Sequence, residues 1–337
     1  MRKRIVVVGS VNLDLVCSVE RIPRAGETMS GSRFEIFHGG KGANQAVAIA
    51  RLGYPVSMVA KVGDDEFGQR LQEGLKTSGV NIHAVGVARR TSSGIALIST
   101  DRQGQNSIVV IPGANGKLLP KDLEMAGTLL RSAGMILTQL EIPLETVECL
   151  AALAGRFGVP LMLDPAPARE LSARLLRQVT FLTPNETETA ILCGVPGKEL
   201  NPATAPGFAR SLVRRGARNV IIKMGSQGAY VAARTVEDFL PAFKVKGVDS
   251  TAAGDAFNGG MAVALMRGQD LLAAGRFGSA VAALSVTRMG AQPSMPTGRD
   301  VGRFLKVMSP SFKDDSAPAA SRTSWVDVHP LDWGSRA

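Results

Sequence analysis

The chain has 337 residues, of which 45% are hydrophobic, 20% charged and 5% aromatic; this is ordinary globular usage, long enough for a large core and for two domains. Its net charge of +10 is dispersed and lacks the aromatic interleaving of a single-strand binding surface, which argues against nucleic acid and for a positive field that gathers an anionic substrate. No apolar run reaches the roughly 18 residues of a membrane span, and the opening MRKRIVVVGS passes from a basic start directly into a strand, so we expect a cytoplasmic protein with no membrane partner.

Residues 5–8 read as the first strand, and Asn12 and Asp14 follow where ligands bind in open α/β sheets, beyond strand carboxyl ends. Asp14 can accept hydrogen bonds from two vicinal hydroxyls, while Asn12 can donate and accept; a strand-terminating turn would use the same residue types. Residues 16–37 and 94–111 carry alternating strand-like residues, such as IALIST and SIVVI, with no helix between members. They predict a separate small sheet. The segment 39–52, GGKGANQAVAIARL, puts three glycines and Lys41 at the mouth of a helix, and His38 before it reads as a loop or strand-end residue. A strand over 56–62 precedes a helix over 67–77 that Gly79 ends in a left-handed cap. Strands over 135–137, 161–163 and 220–223 continue the series. Pro143 suits the first turn of a helix to about residue 157, and Gly216 closes another that begins near Ala203. Short apolar runs alternating with helical patterns predict an α/β fold with a mainly parallel sheet and helices on both faces.

The segment 249–260, DSTAAGDAFNGG, sets Asp255 after small residues at the start of an apolar helix. Helix starts leave backbone N–H groups unpaired at the positive end of the dipole, a receptor for phosphate oxygens that Ala252, Ala253 and Gly254 leave open. Asp255 could orient a substrate hydroxyl and take its proton, or merely cap its helix. If it is the base, the neighbouring amides should keep its pKa low. Cys17, Cys149 and Cys193 have no metal-ligand spacing and read as reduced thiols. No GK pair is followed by Ser or Thr, so the phosphate cradle is not a Walker A loop. Past about residue 310 the chain is rich in Ser, Ala and Pro; residues 311–337, with both tryptophans, are expected to form a flexible tail to a domain over 1–310.

The two Gly-rich segments resemble the two signatures of the PfkB carbohydrate kinase family. GSVNLD from Gly9, LEIPLE from Leu140, DPAPARELS from Asp164, TPNETE from Thr183, KMGSQGAY from Lys223 and VTRMGAQPSMP from Val286 are similar, in that order, to its ribokinase branch, so the resemblance covers about residues 5–305. It implies a ribokinase-like fold whose small sheet is a lid over the sugar site, often pairing with a second subunit, and hence a homodimer. It implies ATP-dependent phosphorylation of the 5-hydroxyl of D-ribose; the nearest rivals are family kinases of deoxyribose, nucleosides or keto sugars. A non-catalytic sugar sensor would have eroded the carboxylate or the phosphate turn, and both are intact.

The resemblance further implies that Asn12, Asp14, Gly40, Lys41, Gly42, Asn44 and Glu141 hold the sugar and that Asp255 is the base, with the amides of Ala252, Ala253 and Gly254 at the transferred phosphate. Asn185 would contact phosphate, and Glu188 would help hold Mg2+ through waters. Lys223, Gly225, Ser226 and Gly228 match the nucleotide loop. Ser279 departs from the family, which carries a larger ring side chain against the adenine there. An activating K+ would be held largely by carbonyls among Asp249, Thr251, Ser285, Arg288, Gly290 and Ser294.

Overall fold

The computed structural model describes residues 2–103 and 105–308. Thirteen strands among these residues are β1 (Ile5–Val8), β2 (Asn12–Ser18), β3 (Arg33–Gly39), β4 (Val56–Gly63), β5 (Asn81–Ala88), β6 (Gly94–Thr100), β7 (Asn106–Ile111), β8 (Met135–Thr138), β9 (Leu161–Leu163), β10 (Phe181–Leu182), β11 (Asn219–Lys223), β12 (Ala229–Ala233) and β13 (Glu237–Leu240). Nine form one sheet in the order β13-β12-β11-β10-β9-β8-β1-β4-β5, parallel except where β12 pairs antiparallel with β11 and β13. At its centre Ile5 lies opposite Val56 on one side and Met135 on the other.

The IVVV run of β1 is buried on both faces, as a central parallel strand must be. Alternate side chains enter opposite cores. Ile5 and Val7 pack with Ile49 and Met261, from the helices Lys41–Arg51 and Ala253–Met266. Val6 and Val8 pack with Val147 and Leu212, from the helices Leu144–Phe157 and Ala205–Arg214. The Glu66–Thr77 helix ends as expected before Gly79, whose φ of 84° is left-handed, and Pro143 immediately precedes the Leu144–Phe157 helix.

The smaller sheet has the order β3-β2-β6-β7, with β2 antiparallel to β3 and parallel to β6. It begins earlier than residue 16. Because β2 starts at Asn12, four residues beyond β1, Asn12 and Asp14 lie on a strand of the small sheet rather than in a turn, with Asn12 paired to both Gly39 and Gly94. The sheet exposes large apolar side chains, among them Phe34 at 63% and Val109 at 57%. Cys17, Cys149 and Cys193 are free thiols. Among the described residues no helix is long and apolar enough to cross a membrane. The tail expected over 311–337 lies outside the described residues.

Candidate active site

The turn before the Ala253–Met266 helix is fixed by Asp249. Its Oδ1 accepts from Thr251 N at 2.9 Å and Thr251 Oγ1 at 2.6 Å, and its Oδ2 accepts from Gly290 N at 2.8 Å. These bonds, which hold its carboxyl below the usual range despite burial, lash the turn to the C-terminal segment. Val248 N and Asp249 N also donate to Val286 O. Ala252 then adopts a left-handed φ of 59°, uncommon without glycine, and the helix begins at the next residue.

Asp255 stands in the first helical turn with its carboxylate buried. Oδ2 accepts from Asn44 Nδ2 at 3.0 Å and Oδ1 from Gln45 Nε2 at 3.1 Å. The expected low pKa is not what the site produces. Burial pushes the carboxyl up to about 6; the Lys41 ammonium and both amide bonds pull it down, and Asp164 adds to the rise. The reasoning from helix amides underweighted desolvation, which disfavours the charged form wherever water is excluded.

Gln45 Nε2 also donates to Asp164 Oδ2 at 3.2 Å, and Asp164 Oδ1 accepts from Lys223 Nζ at 2.9 Å. Gln139 Nε2 donates to Gln45 Oε1 at 2.7 Å, which fixes which end of the Gln45 amide faces the carboxylates. An unbroken chain thus runs from Lys223 to Asp255.

The Lys41–Arg51 helix starts at Gly40, whose φ is 86° and which lends no side-chain cap. Glu141 serves instead. Its Oε2 accepts from Lys41 N at 3.0 Å and from Ser10 Oγ at 2.5 Å, an anion at a helix N-terminus. A Cβ on Gly42 would lie 2.7 Å from Ser10 N, so glycine is needed where the two segments touch. The Asp14 backbone is paired in the small sheet, but its carboxylate receives no hydrogen bond from the described residues, and burial, with Glu141 and Asp255 nearby, pushes its pKa up to about 7. Burial disfavours the Lys41 ammonium, yet Asp255, Asp164, Glu141 and Glu188 together outweigh it and raise its pKa. Asn12 Oδ1 accepts from Asn115 Nδ2 at 2.6 Å.

Beside this polar cluster lies a cavity of about 760 Å3 whose wall includes Lys41, Asp164, Asn185, Glu188, Lys223, Gly225, Ser226, Gly228, Ala252, Ala253, Gly254, Asp255 and Ser279. Every residue expected at the nucleotide is therefore on one surface. Asn185 and Glu188 form a capping box: Asn185 accepts from Glu188 N at 2.8 Å, and the Glu188 carboxylate accepts from Asn185 N at 2.7 Å and Nδ2 at 3.0 Å. Burial and Asp164 raise the Glu188 carboxyl against the pull of Lys223 and Lys41. The two ammonium groups on this wall suit phosphate oxygens, and because no cluster of three metal-ligating side chains occurs among the described residues, an Mg2+ near Glu188 would be held largely through water. Ser279 donates to Gly275 O at 3.0 Å and shares a helix stripe with Ala282, Ala283 and Val286, so this end of the wall is low and apolar. Ser285 and Ser294 are buried, donating to Ala282 O and Ala291 O, while the Arg288 guanidinium faces Asp300 at 3.7 Å. Both Asp249 carboxylate oxygens are taken by Thr251 and Gly290, so any ion beside the turn would depend on backbone carbonyls.

Sequence reasoning missed Gln45, Asp164, Gln139, Ser10 and Asn115. Asp164 was within reach, because it follows β9 directly and the rule that picked Asn12 and Asp14 applies there too. Gln45 adjoins Asn44 in the same motif. Asn115 carried no signal.

Residues 2–298 match the family model described as pfkB family carbohydrate kinase. The chain is 42% identical to the ribokinase of Bacillus subtilis over 303 residues, covering 90% of this chain and 99% of that protein. It is 40% identical over 304 residues to the deoxyribokinase of Salmonella typhimurium, again covering 90% and 99%. The structure of Arabidopsis thaliana ribokinase complexed with ribose and ATP superposes with a TM-score of 0.84 at 34% identity, covering 91% of this chain and 99% of that one.

Proposed function

The chain belongs to the PfkB family of carbohydrate kinases, and from that membership we propose that it transfers the γ-phosphoryl group of ATP to the 5-hydroxyl of D-ribose, giving D-ribose 5-phosphate and ADP. The observation that carries the reading is the buried Asp255 carboxylate, held by Asn44 and Gln45 at the mouth of a helix and facing the cavity.

We assign ATP to the cavity and the sugar to the cluster around Asn12, Asp14, Lys41 and Asn44. Asp255 aligns the 5-hydroxyl and accepts its proton as the new P–O bond forms; in a loose transition state that transfer is late, and alignment is the larger contribution. Of the amides of Ala252 to Gly254, those of Ala252 and Gly254 stabilise charge on the transferred group, while Ala253 N donates to Ser250 O at 3.2 Å. Asn185 contacts phosphate, and the Lys223–Gly228 loop brings backbone close to the nucleotide. Lys41, drawn between four carboxylates, neutralises the field that would otherwise keep Asp255 protonated.

Mg2+, when bound through waters near Glu188, neutralises charge on the ATP phosphates. K+ beside the turn anchored by Asp249 would order the amides without joining the chemistry. The exposed apolar face of the small sheet supports a homodimer through the lid. A cytoplasmic setting suits a consumer of ATP.

The deciding experiment measures ADP release with ATP, magnesium and potassium across ribose, 2-deoxyribose, fructose, adenosine and no sugar. Ribose-selective turnover is expected; selective turnover of 2-deoxyribose would move the substrate to that of the deoxyribokinase relatives. Asp255→Ala should fold and bind ribose yet lose most turnover, and near-normal turnover would refute its role.

A further inference from the structure

The 3-10 helix Gly113–Lys117 follows β7 and packs beneath the root of the small sheet, with Ala114 N donating to Ser92 O at 2.8 Å. From it the Asn115 side chain, 2% exposed, reaches the start of β2. Its Oδ1 accepts from Val11 N at 2.8 Å, and its Nδ2 donates to Asn12 Oδ1 at 2.6 Å and to Val11 O at 3.3 Å.

The oxygen and nitrogen of an amide are ordinarily hard to tell apart by shape alone. A backbone N–H settles the matter here, because it can only donate. Val11 N fixes Asn115 Oδ1 toward itself, so Asn115 Nδ2 faces the other way. That group in turn can only donate, and Asn12 must offer it Oδ1 and turn its own Nδ2 aside. Asn12 Nδ2 has no hydrogen-bond partner among the described residues. Asn12 and Asp14 are two residues apart on β2 and so share one face of the strand.

We propose that Asn115 is a positioning residue that fixes the polarity of sugar recognition, making Asn12 a hydrogen-bond donor beside the acceptor Asp14. The proposal rests on the reading of Asn12 as a sugar contact. Two neighbouring hydroxyls of a ribose suit the pair, one oxygen accepting from Asn12 and one hydroxyl donating to Asp14. A sugar lacking the first hydroxyl leaves a buried donor unpaired, which a polar site rejects strongly. The arrangement also explains a glycine. A Cβ on Gly94, the first residue of β6, would lie 2.1 Å from Asn115 Nδ2 and 2.3 Å from Asn12 Oδ1.

The test compares kcat/KM for ribose and 2-deoxyribose, with KM for ATP and a thermal melt, in wild type, Asn115→Asp and Asn115→Leu. Asn115→Asp keeps the bond from Val11 N but presents a second acceptor to Asn12, inverting its amide; Asn115→Leu removes the constraint. Each should lower ribose kcat/KM by about 10–100-fold, the equivalent of one lost buried partner, while 2-deoxyribose and the KM for ATP change by less than about threefold. In an Asn12→Ala background Asn115→Leu should leave the sugar ratio unaltered. Should an Asn115 variant fail to fold, Asn12→Asp makes the same inversion, keeping its bond from Asn115 while turning an acceptor to the sugar, and must narrow the same ratio. Discrimination by the wild type that both Asn115 variants retain but Asn12→Asp loses would overturn the role of Asn115 alone. Equal efficiency of the wild type on both sugars would overturn the Asn12 contact, and the proposal with it.

Discussion

If Asp14 holds the sugar as proposed, recognition and stability conflict at its carboxylate. It lies on β2, partly buried, with no hydrogen bond from the described protein to its carboxylate. Burial, Glu141 and Asp255 raise its pKa from 3.8 to about 7. A displacement of that size corresponds to about 4 kcal/mol against the ionised form, and relaxation around the charge brings our expectation to about 2–4 kcal/mol. The sign follows from proton binding. The folded carboxyl holds its proton more tightly than the unfolded one, so the folded state gains stability as pH falls from about 7 toward about 4 and bears the full cost above 7. Asp14→Asn removes that cost without breaking a bond inside the protein. Urea unfolding of the sugar-free enzyme should therefore find the variant more stable than wild type at pH 8 by about 2–4 kcal/mol, with the gap closing toward pH 4.5. Its ribose kcat/KM should fall at least about 100-fold, since the acceptor for two hydroxyls is gone. A variant less stable than wild type at pH 8, or equally stabilised at both pH values, would refute the electrostatic account.

Three further outcomes follow from the same geometry. The kcat/KM for sugar should decline below about pH 7 as Asp14 gains its proton and more steeply below about pH 6 as Asp255 follows; a profile flat from pH 8 to 5 would contradict both shifts. Gln45→Leu deletes the amide that joins Asp255 to Asp164, so kcat should drop about 10–100-fold with both KM values nearly unchanged, and the acid limb should move to higher pH because a donor to the ionised carboxylate is lost. Gly42→Ala forces a Cβ to within 2.8 Å of Gly9 and Ser10 backbone, and calorimetry should record a loss of about 1–3 kcal/mol together with a raised KM for sugar.

The sheet was legible where burial on both faces leaves an unmistakable signature: the IVVV of β1 and the LML of β9 are short apolar runs with no alternative use. The two-residue strand β10 has no such signature, because it exists only as a rung between β9 and β11. The anion turn and Asp255 were legible because helix starts and small residues have local rules. What surrounds Asp255 had none. Gln45 is separated from it by 210 residues and Asn115 from Asn12 by 103, and only the folded chain pairs them. The error over the pKa of Asp255 has the same origin: helix amides are visible in sequence, whereas exclusion of water is a property of the assembled site.

Those long-range bonds divide the labour of the fold. Asp255, Asn44, Gln45, Asp164 and Lys223 are joined to one another and stand on helices, strand ends and turns of the large sheet. Asn12 and Asp14 belong to the small sheet and are tied at its root through Asn115. A shift of the small sheet about that root would thus carry Asn12 and Asp14 together while leaving Asp255 and the Lys223–Gly228 segment in register. Such a shift need not disturb the chain from Lys223 to Asp255, because none of its bonds passes through the small sheet.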